Sequence, residues 1–356
     1  MSYKMEDHSW ESRPGALGLR RRDHVRAPGC GTIGPMDPID EMILAETPDV
    51  AGAVAVIDAP GLVEHALERS DDVRVWCDDW RDAQLVDPAL LVEHPSDLSG
   101  VDLAWAHLPK SLGALDEQAA SVQGADDVTF LAGGRVKHMN LSMNEVLGKH
   151  FVAVSASLGR RKSRVLRAFG PNNLPSDWPK ARHHDDLNLV VTAHGATFSG
   201  TKVDPGTRLL LSKLKVEGDT VLDFGSGNGV ISAFLNRRGH RMLARDVSWS
   251  AVASTLETAA ANDLSVEASW GVGLDGYADG SINAIVTNPP FHQGTTKDSS
   301  DTLAMFDDAA RVLTPGGQLW CVYNSHLPYR KELNVRLGRT NVVVQDRQYT
   351  VTLTTI

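Results

Sequence analysis

Alternation of short apolar runs with amphipathic stretches, a glycine-rich turn directly after one of those runs, and a fainter echo of the same order nearer the start predict an α/β protein with a mainly parallel sheet. At 356 residues the chain exceeds what one core usually organises and suits two α/β units. The second unit is the clearer one. A strand is expected over 187–194. Asp204 then precedes Pro205 and the amphipathic stretch Leu209 to Leu214, the order of an N-cap, a proline at the first helical position and a buried helix over 205–215. Val221-Leu222-Asp223-Phe224 gives a buried strand over 219–224, and the residues after the glycines give a helix over 229–238. The apolar stretch Met242 to Arg245 makes a strand over 241–246. The alternation continues as helix 249–262, strands 265–269 and 282–287, helix 301–313, strand 318–323, helix 328–337 and a closing hairpin over 341–356.

The turn Gly225-Ser226-Gly227-Asn228-Gly229 joins a strand to a helix, so its glycines let the backbone approach a ligand while the helix start offers free amides. Its Gly-x-Gly-x-Gly spacing after an acid differs from the Gly-x-Gly-x-x-Gly of dinucleotide folds and favours S-adenosylmethionine over NAD. Asp246 lies about 20 residues beyond the loop, where an acid accepts hydrogen bonds from ribose hydroxyls. Taken singly, the loop is equally a flexible turn and Asp246 a helix cap.

Further on, Asn288-Pro289-Pro290-Phe291 follows an apolar strand, and this combination suits chemistry on an amino nitrogen whose lone pair is delocalised. The Asn288 side-chain oxygen accepts one hydrogen of such an amine, the Pro289 carbonyl accepts the other, and Phe291 stacks on the planar base. By itself the motif also reads as a strand terminator, because proline cannot continue a ladder. Glycine loop, acid and Asn-Pro-Pro-Phe in this order make the bland readings unsatisfactory together.

The run Gly195-Ala196-Thr197-Phe198-Ser199, Asp204-Pro205-Gly206-Thr207-Arg208-Leu209-Leu210, the glycine loop, Asp246-Val247-Ser248, Asn288 to His292 and Asn324-Ser325-His326-Leu327-Pro328-Tyr329 together resemble the bacterial ribosomal RNA guanine-2-amino methyltransferases, small-subunit and large-subunit paralogues alike. The likeness covers residues 187–356. It implies two tandem Rossmann-like methyltransferase domains: a degenerate N-terminal one, and a catalytic C-terminal one with a mainly parallel seven-stranded sheet. It also implies S-adenosylmethionine as cofactor and ribosomal RNA or a ribosomal subunit as partner. Asn288, Pro289, Pro290 and Phe291 are then catalytic. Asp223, Gly225, Ser226, Gly227, Asn228, Gly229, Asp246 and Val247 hold the cofactor, and Phe198 closes over its methionine end. Trp270 and Gly271 stand where relatives carry an Asn or acid toward adenine, so a backbone contact near Gly271 and stacking by Trp270 are expected instead. His292 opens a polar loop running to Ser300, expected to fold over a flipped base.

The first half mimics this order with Ala53 to Ile57, Asp58-Ala59-Pro60-Gly61, a helical stretch Leu62 to Arg69 and Val73 to Cys77. It keeps one glycine where the loop needs several, and His107-Leu108-Pro109-Lys110 stands where Asn-Pro-Pro-Phe would. Residues 36–170 are therefore expected not to bind cofactor and to recognise RNA or buttress the catalytic half. Residues 171–186, rich in proline and polar side chains, read as a linker. Residues 1–35 are expected to be disordered, with a start at Met36 favoured over a basic arm touching RNA.

A net charge of −10 argues against a broad RNA-binding surface, so local clusters must serve. Arg160, Arg161, Lys162 and Arg164 form the expected RNA footprint, with Arg167, Arg135 and Lys137 near; a solvated turn is the alternative. Tyr329-Arg330-Lys331 with Arg336 and Arg339 read as an exposed helix side. Three cysteines with no ligand spacing support neither a disulfide framework nor a zinc site, and no apolar run spans a bilayer. A cytoplasmic monomer without metal is expected. Two rivals stay open: an amino-methyltransferase for another RNA, DNA adenine or protein glutamine, and a non-catalytic RNA-binding module.

Overall fold

Val, Ile, Leu and Ala runs buried on both faces make the central strands of two successive sheets, because crossover helices cover both sides. The computed structural model describes residues 36–49, 52–289 and 296–356; the expectations for residues 1–35 lie outside the described residues. The first half runs α1 (Pro38–Glu46), β1 (Val54–Ile57), α2 (Val63–Leu67), β2 (Val73–Trp76), α3 (Trp80–Ala83), β3 (Leu103–His107), α4 (Leu112–Ser121), β4 (Thr129–Arg135), α5 (Leu141–His150), β5 (Phe151–Ala156) and β6 (Ser163–Pro171). The second runs β7 (Lys180–His184), β8 (Leu189–Ala193), α6 (Pro205–Leu211), β9 (Thr220–Phe224), α7 (Val230–Asn236), β10 (Arg241–Asp246), α8 (Trp249–Ala260), β11 (Val266–Trp270), β12 (Ile282–Thr287), α9 (Thr296–Val312), β13 (Leu313–Asn324), α10 (Tyr329–Arg336), β14 (Thr340–Gln345) and β15 (Tyr349–Thr355).

The seven-stranded sheet has order β11-β10-β9-β12-β13-β15-β14, parallel except for the β15 pairings, as the alternation predicts. The six-stranded sheet has order β2-β1-β3-β4-β6-β5. Superposing the orders pairs β2 with β10, β1 with β9 and β3 with β12, and leaves β11 without a counterpart. A lone parallel bridge from Val75 to Leu91 stands where that strand would begin. The first half is thus the second half's plan with one strand missing.

Two expectations change. The segment 171–186 is only partly a linker: β7 lies within it and pairs antiparallel with β8 as a separate two-stranded sheet. Its mostly polar residues, Lys180 to His184, hid a strand that stays largely exposed. β8 consequently packs outside the main sheet, where Thr192 N–H donates to Thr258 Oγ1 of α8 at 2.9 Å. Helix α9 also starts earlier than expected, at Thr296.

The halves dock through their equivalent loops. Trp80 N–H donates to the Val247 carbonyl at 2.9 Å, and Trp249 N–H donates to the Asp78 carbonyl at 2.7 Å, on either side of an antiparallel bridge between Asp79 and Ser248. Such reciprocity is what a local two-fold relation between like surfaces produces. The Asp78 carboxylate extends the seam, accepting from Ser248 Oγ at 2.7 Å and Ser250 N–H at 2.9 Å, and Trp249 and Ala253 of α8 enter the core of the first half.

A second seam centres on His194, whose side chain is 1% exposed; Nδ1 lies 2.6 Å from Glu117 of α4 and Nε2 lies 3.3 Å from Glu257 of α8. Burial depresses the imidazole's pKa, but the bonds to Glu117 and Glu257 more than offset this and raise it to about 9. A histidine protonated more readily when folded adds stability that is complete below its unfolded value near 6.5 and disappears as pH rises through about 9. The thermal midpoint should therefore fall between those pH values, and fall less in His194→Gln. Asp58 and Asp223, also raised, act in the same direction in both proteins, so parallel pH profiles would remove His194 as a source.

Candidate active site

β9 and β12 lie side by side, with Val286 against Asp223 and Thr287 against Phe224, so Gly225 and Asn288 leave the same edge of the sheet as neighbours. This carboxyl edge, where the strand order reverses, is where open α/β sheets bind ligands. Gly225 and Gly227 have φ of +74° and +54°, and a Cβ on either would meet nothing within 4 Å. The loop thus presents bare backbone to an open space. Gly229 is glycine for a different reason: with φ +73°, its Cβ would lie 2.6 Å from Thr255 Cα of α8.

The acids hold the loop from behind. Asp223, 0% exposed, accepts through Oδ2 from Ser232 N–H at 3.0 Å and Ser232 Oγ at 2.7 Å, clamping the start of α7. Its pKa is pushed up to about 7 by burial, and Asp246 adds to the rise. Asp246 accepts from Gly227 N–H through Oδ2 and from Ser248 N–H through Oδ1, each at 3.0 Å. Burial drives its pKa up to about 6 against these N–H groups, with Asp78 adding to the rise. Ser226 Oγ accepts from Thr255 Oγ1 at 2.9 Å, while Asn228 Nδ2 donates to the carbonyls of Gly200 and Lys202, which ties the glycine loop to the turn carrying Phe198. Phe198 itself is 63% exposed.

Asn288 is fixed from α6. Its Nδ2 donates to Thr207 Oγ1 at 2.9 Å and to Asp204 Oδ2 at 3.3 Å, while its Oδ1 is buried without a protein partner. Asp204 is the N-cap expected from the sequence, accepting from Gly206 N–H at 2.8 Å and Thr207 N–H at 3.2 Å. Thr207 stands in the run from Asp204 to Leu210 that the resemblance uses but is given no role of its own there; its place three residues after the cap sets both side chains on one turn. Pro289 is buried beside Asn288, and Pro290, Phe291 and His292 lie outside the described residues.

Other expected residues are used differently. The Trp270 indole N–H donates to the carbonyls of Val247 at 2.8 Å and Asp78 at 3.2 Å, and its ring packs against the first half's cores, so it serves the interface between the halves. Gly271 N–H donates to the Asp246 carbonyl at 2.8 Å, which occupies the amide expected for adenine, and the Arg245 guanidinium covers Gly271. Val247 contributes its carbonyl to the seam.

Arg160, Arg161, Lys162 and Arg164 are not brought to this edge. They form the turn and flank of the β5–β6 hairpin, at the margin opposite β2. Arg161 and Lys162 take φ of +49° and +62° in that tight turn. Acids on α1 and at its N-cap neutralise part of the cluster: Arg161 pairs with Glu41 at 2.6 Å, Arg167 with Glu46 at 3.0 Å and Arg135 with the cap residue Asp37 at 3.4 Å. Arg160 and Lys162 remain exposed, and Arg164 is half-buried with an unpartnered Nε.

In the first half α1 fills the corresponding edge. Asp40 of α1 lies 2.6 Å from His107 Nε2, and its other oxygen sits 2.7 Å from where a Gly61 Cβ would be. Among the described residues no group of three or more His, Cys, Asp or Glu is placed to hold a metal ion, and no helix is long and apolar enough to cross a membrane.

The strand order, the bare glycine cradle and the Asp246 carboxylate beside it fit the adenosyl and methionine parts of S-adenosylmethionine and define a class I methyltransferase dependent on that cofactor. Residues 188–353 match the methyltransferase small domain family, and residues 81–172 match the RLMG N-terminal domain. The chain belongs to the ribosomal RNA large subunit methyltransferase G family. It is 32% identical to the Streptomyces coelicolor member over 70% of this chain and 71% of the relative, and 30% identical to the Streptomyces griseus member over 95% and 96%. A ribosomal RNA small subunit methyltransferase C from Chromohalobacter salexigens is 38% identical over 46% of this chain and 50% of its own. The T. thermophilus 16S rRNA N2 G1207 methyltransferase, solved with AdoMet and guanosine, shares the fold with a TM-score of 0.71 at 21% identity, over 90% of this chain and 92% of that one.

The packing of Gly229 against Thr255 gives a direct check on the cradle. Gly229→Ala should lower unfolding free energy by about 1–3 kcal/mol through backbone strain and overpacking, read from the denaturant midpoint. An unshifted midpoint would show that α7 and α8 do not need this contact.

Proposed function

We propose that this enzyme methylates the exocyclic 2-amino group of a guanine in ribosomal RNA, with the large subunit's RNA as substrate. The buried, unpartnered Oδ1 of Asn288 beside the glycine cradle carries the proposal, supported by the large-subunit names of its relatives. An orphaned buried acceptor is destabilising by about 1–3 kcal/mol unless something completes it, and an amino hydrogen does so. Bound S-adenosylmethionine supplies an electrophilic methyl carried on a positively charged sulfur.

The chain's own groups do the rest. Asn288 Oδ1 and the Pro289 carbonyl each accept one amine hydrogen, which turns the nitrogen lone pair out of the ring plane and toward the methyl. Phe291 stacks on the base and His292 contacts it. Gly225, Ser226, Gly227, Asn228 and Gly229 line the cofactor with backbone, Asp246 accepts from its ribose, and Asp223 holds the loop in place. Phe198 covers the methionine end. The exposed Arg160 and Lys162 contact RNA phosphates, with Arg161 joining them on release from Glu41. We extend the proposal to a monomer that works without metal and, because the buried thiols of Cys77 and Cys321 suit a reducing compartment, to the cytoplasm.

Asn288→Ala should reduce methyl transfer to ribosomal RNA by about 100-fold or more while calorimetric affinity for S-adenosylmethionine stays at the parent value. Mapping by mass spectrometry should place the methyl on guanine N2. Full turnover in the variant, or a methyl on any other atom, would overturn the assignment. For Asp246 the sign is opposite to that of His194's charge: its carboxylate is protonated as pH falls through about 6, so cofactor affinity should weaken below that pH. In Asp246→Asn, affinity should be weak and free of that pH step; a step that persists would place the titration elsewhere.

A further inference from the structure

We infer that Thr207 and Asp204 are positioning residues that fix which way the Asn288 carboxamide faces; the inference rests on the function proposed above. An asparagine side chain has nearly the same shape in its two flipped orientations, but only one is useful here. With oxygen toward the pocket it accepts from the amine. Flipped, it would present N–H groups to the hydrogens of the amine and repel it. Thr207 Oγ1, at 2.9 Å, does not decide the matter alone, because a hydroxyl can donate as well as accept. Asp204 decides it. Its carboxylate only accepts, so the atom 3.3 Å from Oδ2 must be Nδ2.

Once Asp204 selects the orientation, the shorter Thr207 bond holds it. Both residues sit in the first turn of α6, where Asp204 is already fixed by the amides of Gly206 and Thr207. That turn has little freedom, because a Cβ on Gly206 would come within 2.9 Å of the Tyr349 ring on β15. Thr207 is 5% exposed, so water does not replace its hydroxyl. The arrangement leaves Oδ1 as the one polar atom of the Asn288 side chain without a protein partner, and it is buried. Two donors engaged and one acceptor left open is the state a group needs if it is to receive a hydrogen without first reorganising.

Thr207→Val keeps the shape and removes the acceptor. Its kcat for methyl transfer should fall about tenfold, with the Kd for S-adenosylmethionine at the parent value, and Thr207→Ser should restore kcat. In an Asn288→Ala background Thr207→Val should cause no further loss, because it acts only through the carboxamide. Asp204→Ser retains a capping oxygen but no anion, and should lower kcat more than stability. Independently of any turnover, the Asn288 side-chain NH2 resonances, identified as the pair absent from Asn288→Ala, should exchange with water faster in Thr207→Val. Parent kcat and parent exchange in Thr207→Val would overturn the inference while leaving the proposed function intact. A loss of kcat matched by loss of stability and not restored by serine would make Thr207 merely structural. Should wild-type enzyme fail to methylate guanine, the proposed function falls, and the exchange rates still decide the positioning role.

Discussion

The carboxylate of Asp246 stands where three parts of the molecule meet. Through one oxygen it holds the middle of the glycine loop, and through the other it holds the start of α8. Two residues on, Ser248 and Trp249 form the bridge to the first half. Cradle, crossover helix and partner half are therefore located by one short segment at the end of β10. A shift there would move the glycine backbone relative to Asn288, and the site is a pair of strand ends only because β9, β10 and β12 share a ladder.

Duplication explains why the bridge has this form. The equivalent loops after β2 and β10 meet across a local two-fold relation, so the first half adds to the second the surface that a second copy would have supplied. It has lost a strand, and α1 occupies the edge where the other half keeps its open glycine cradle. It also supports elements of the second half: Asp78 binds Ser248 and Ser250, and Glu117 binds His194 and the Gly195 N–H at the entrance to the Phe198 turn.

Charge is arranged sparingly for a protein that acts on RNA. The cationic hairpin turn faces α1 and its cap, where Glu41, Glu46 and Asp37 pair with Arg161, Arg167 and Arg135. The exposed Arg161–Glu41 pair contributes little to stability, about 0–1 kcal/mol. The net charge of −10 fits localised contact better than a continuous basic face.

Periodicity and punctuation by themselves determined the α/β alternation of the second half, from the cap at Asp204 and the Gly225 to Gly229 turn to Asn288, because these signals lie within one element and its neighbours; the seven-stranded sheet came from the family resemblance, and the strand at 189–193 lies outside that sheet. They also showed the first half as a weakened copy. What they could not convey is contact between residues far apart in the chain. β7 was hidden because a two-stranded, largely exposed sheet needs no apolar pattern. Trp270 was assigned to adenine because position along a strand does not reveal that the other half covers its ring. Thr207 had no signal of its own; its meaning comes from lying 2.9 Å from a residue 81 positions away. Local chemistry in this protein is written in spacing, and only folding decides which buried donor meets which acceptor, since that depends on two strand ends and a helix cap being brought to one edge.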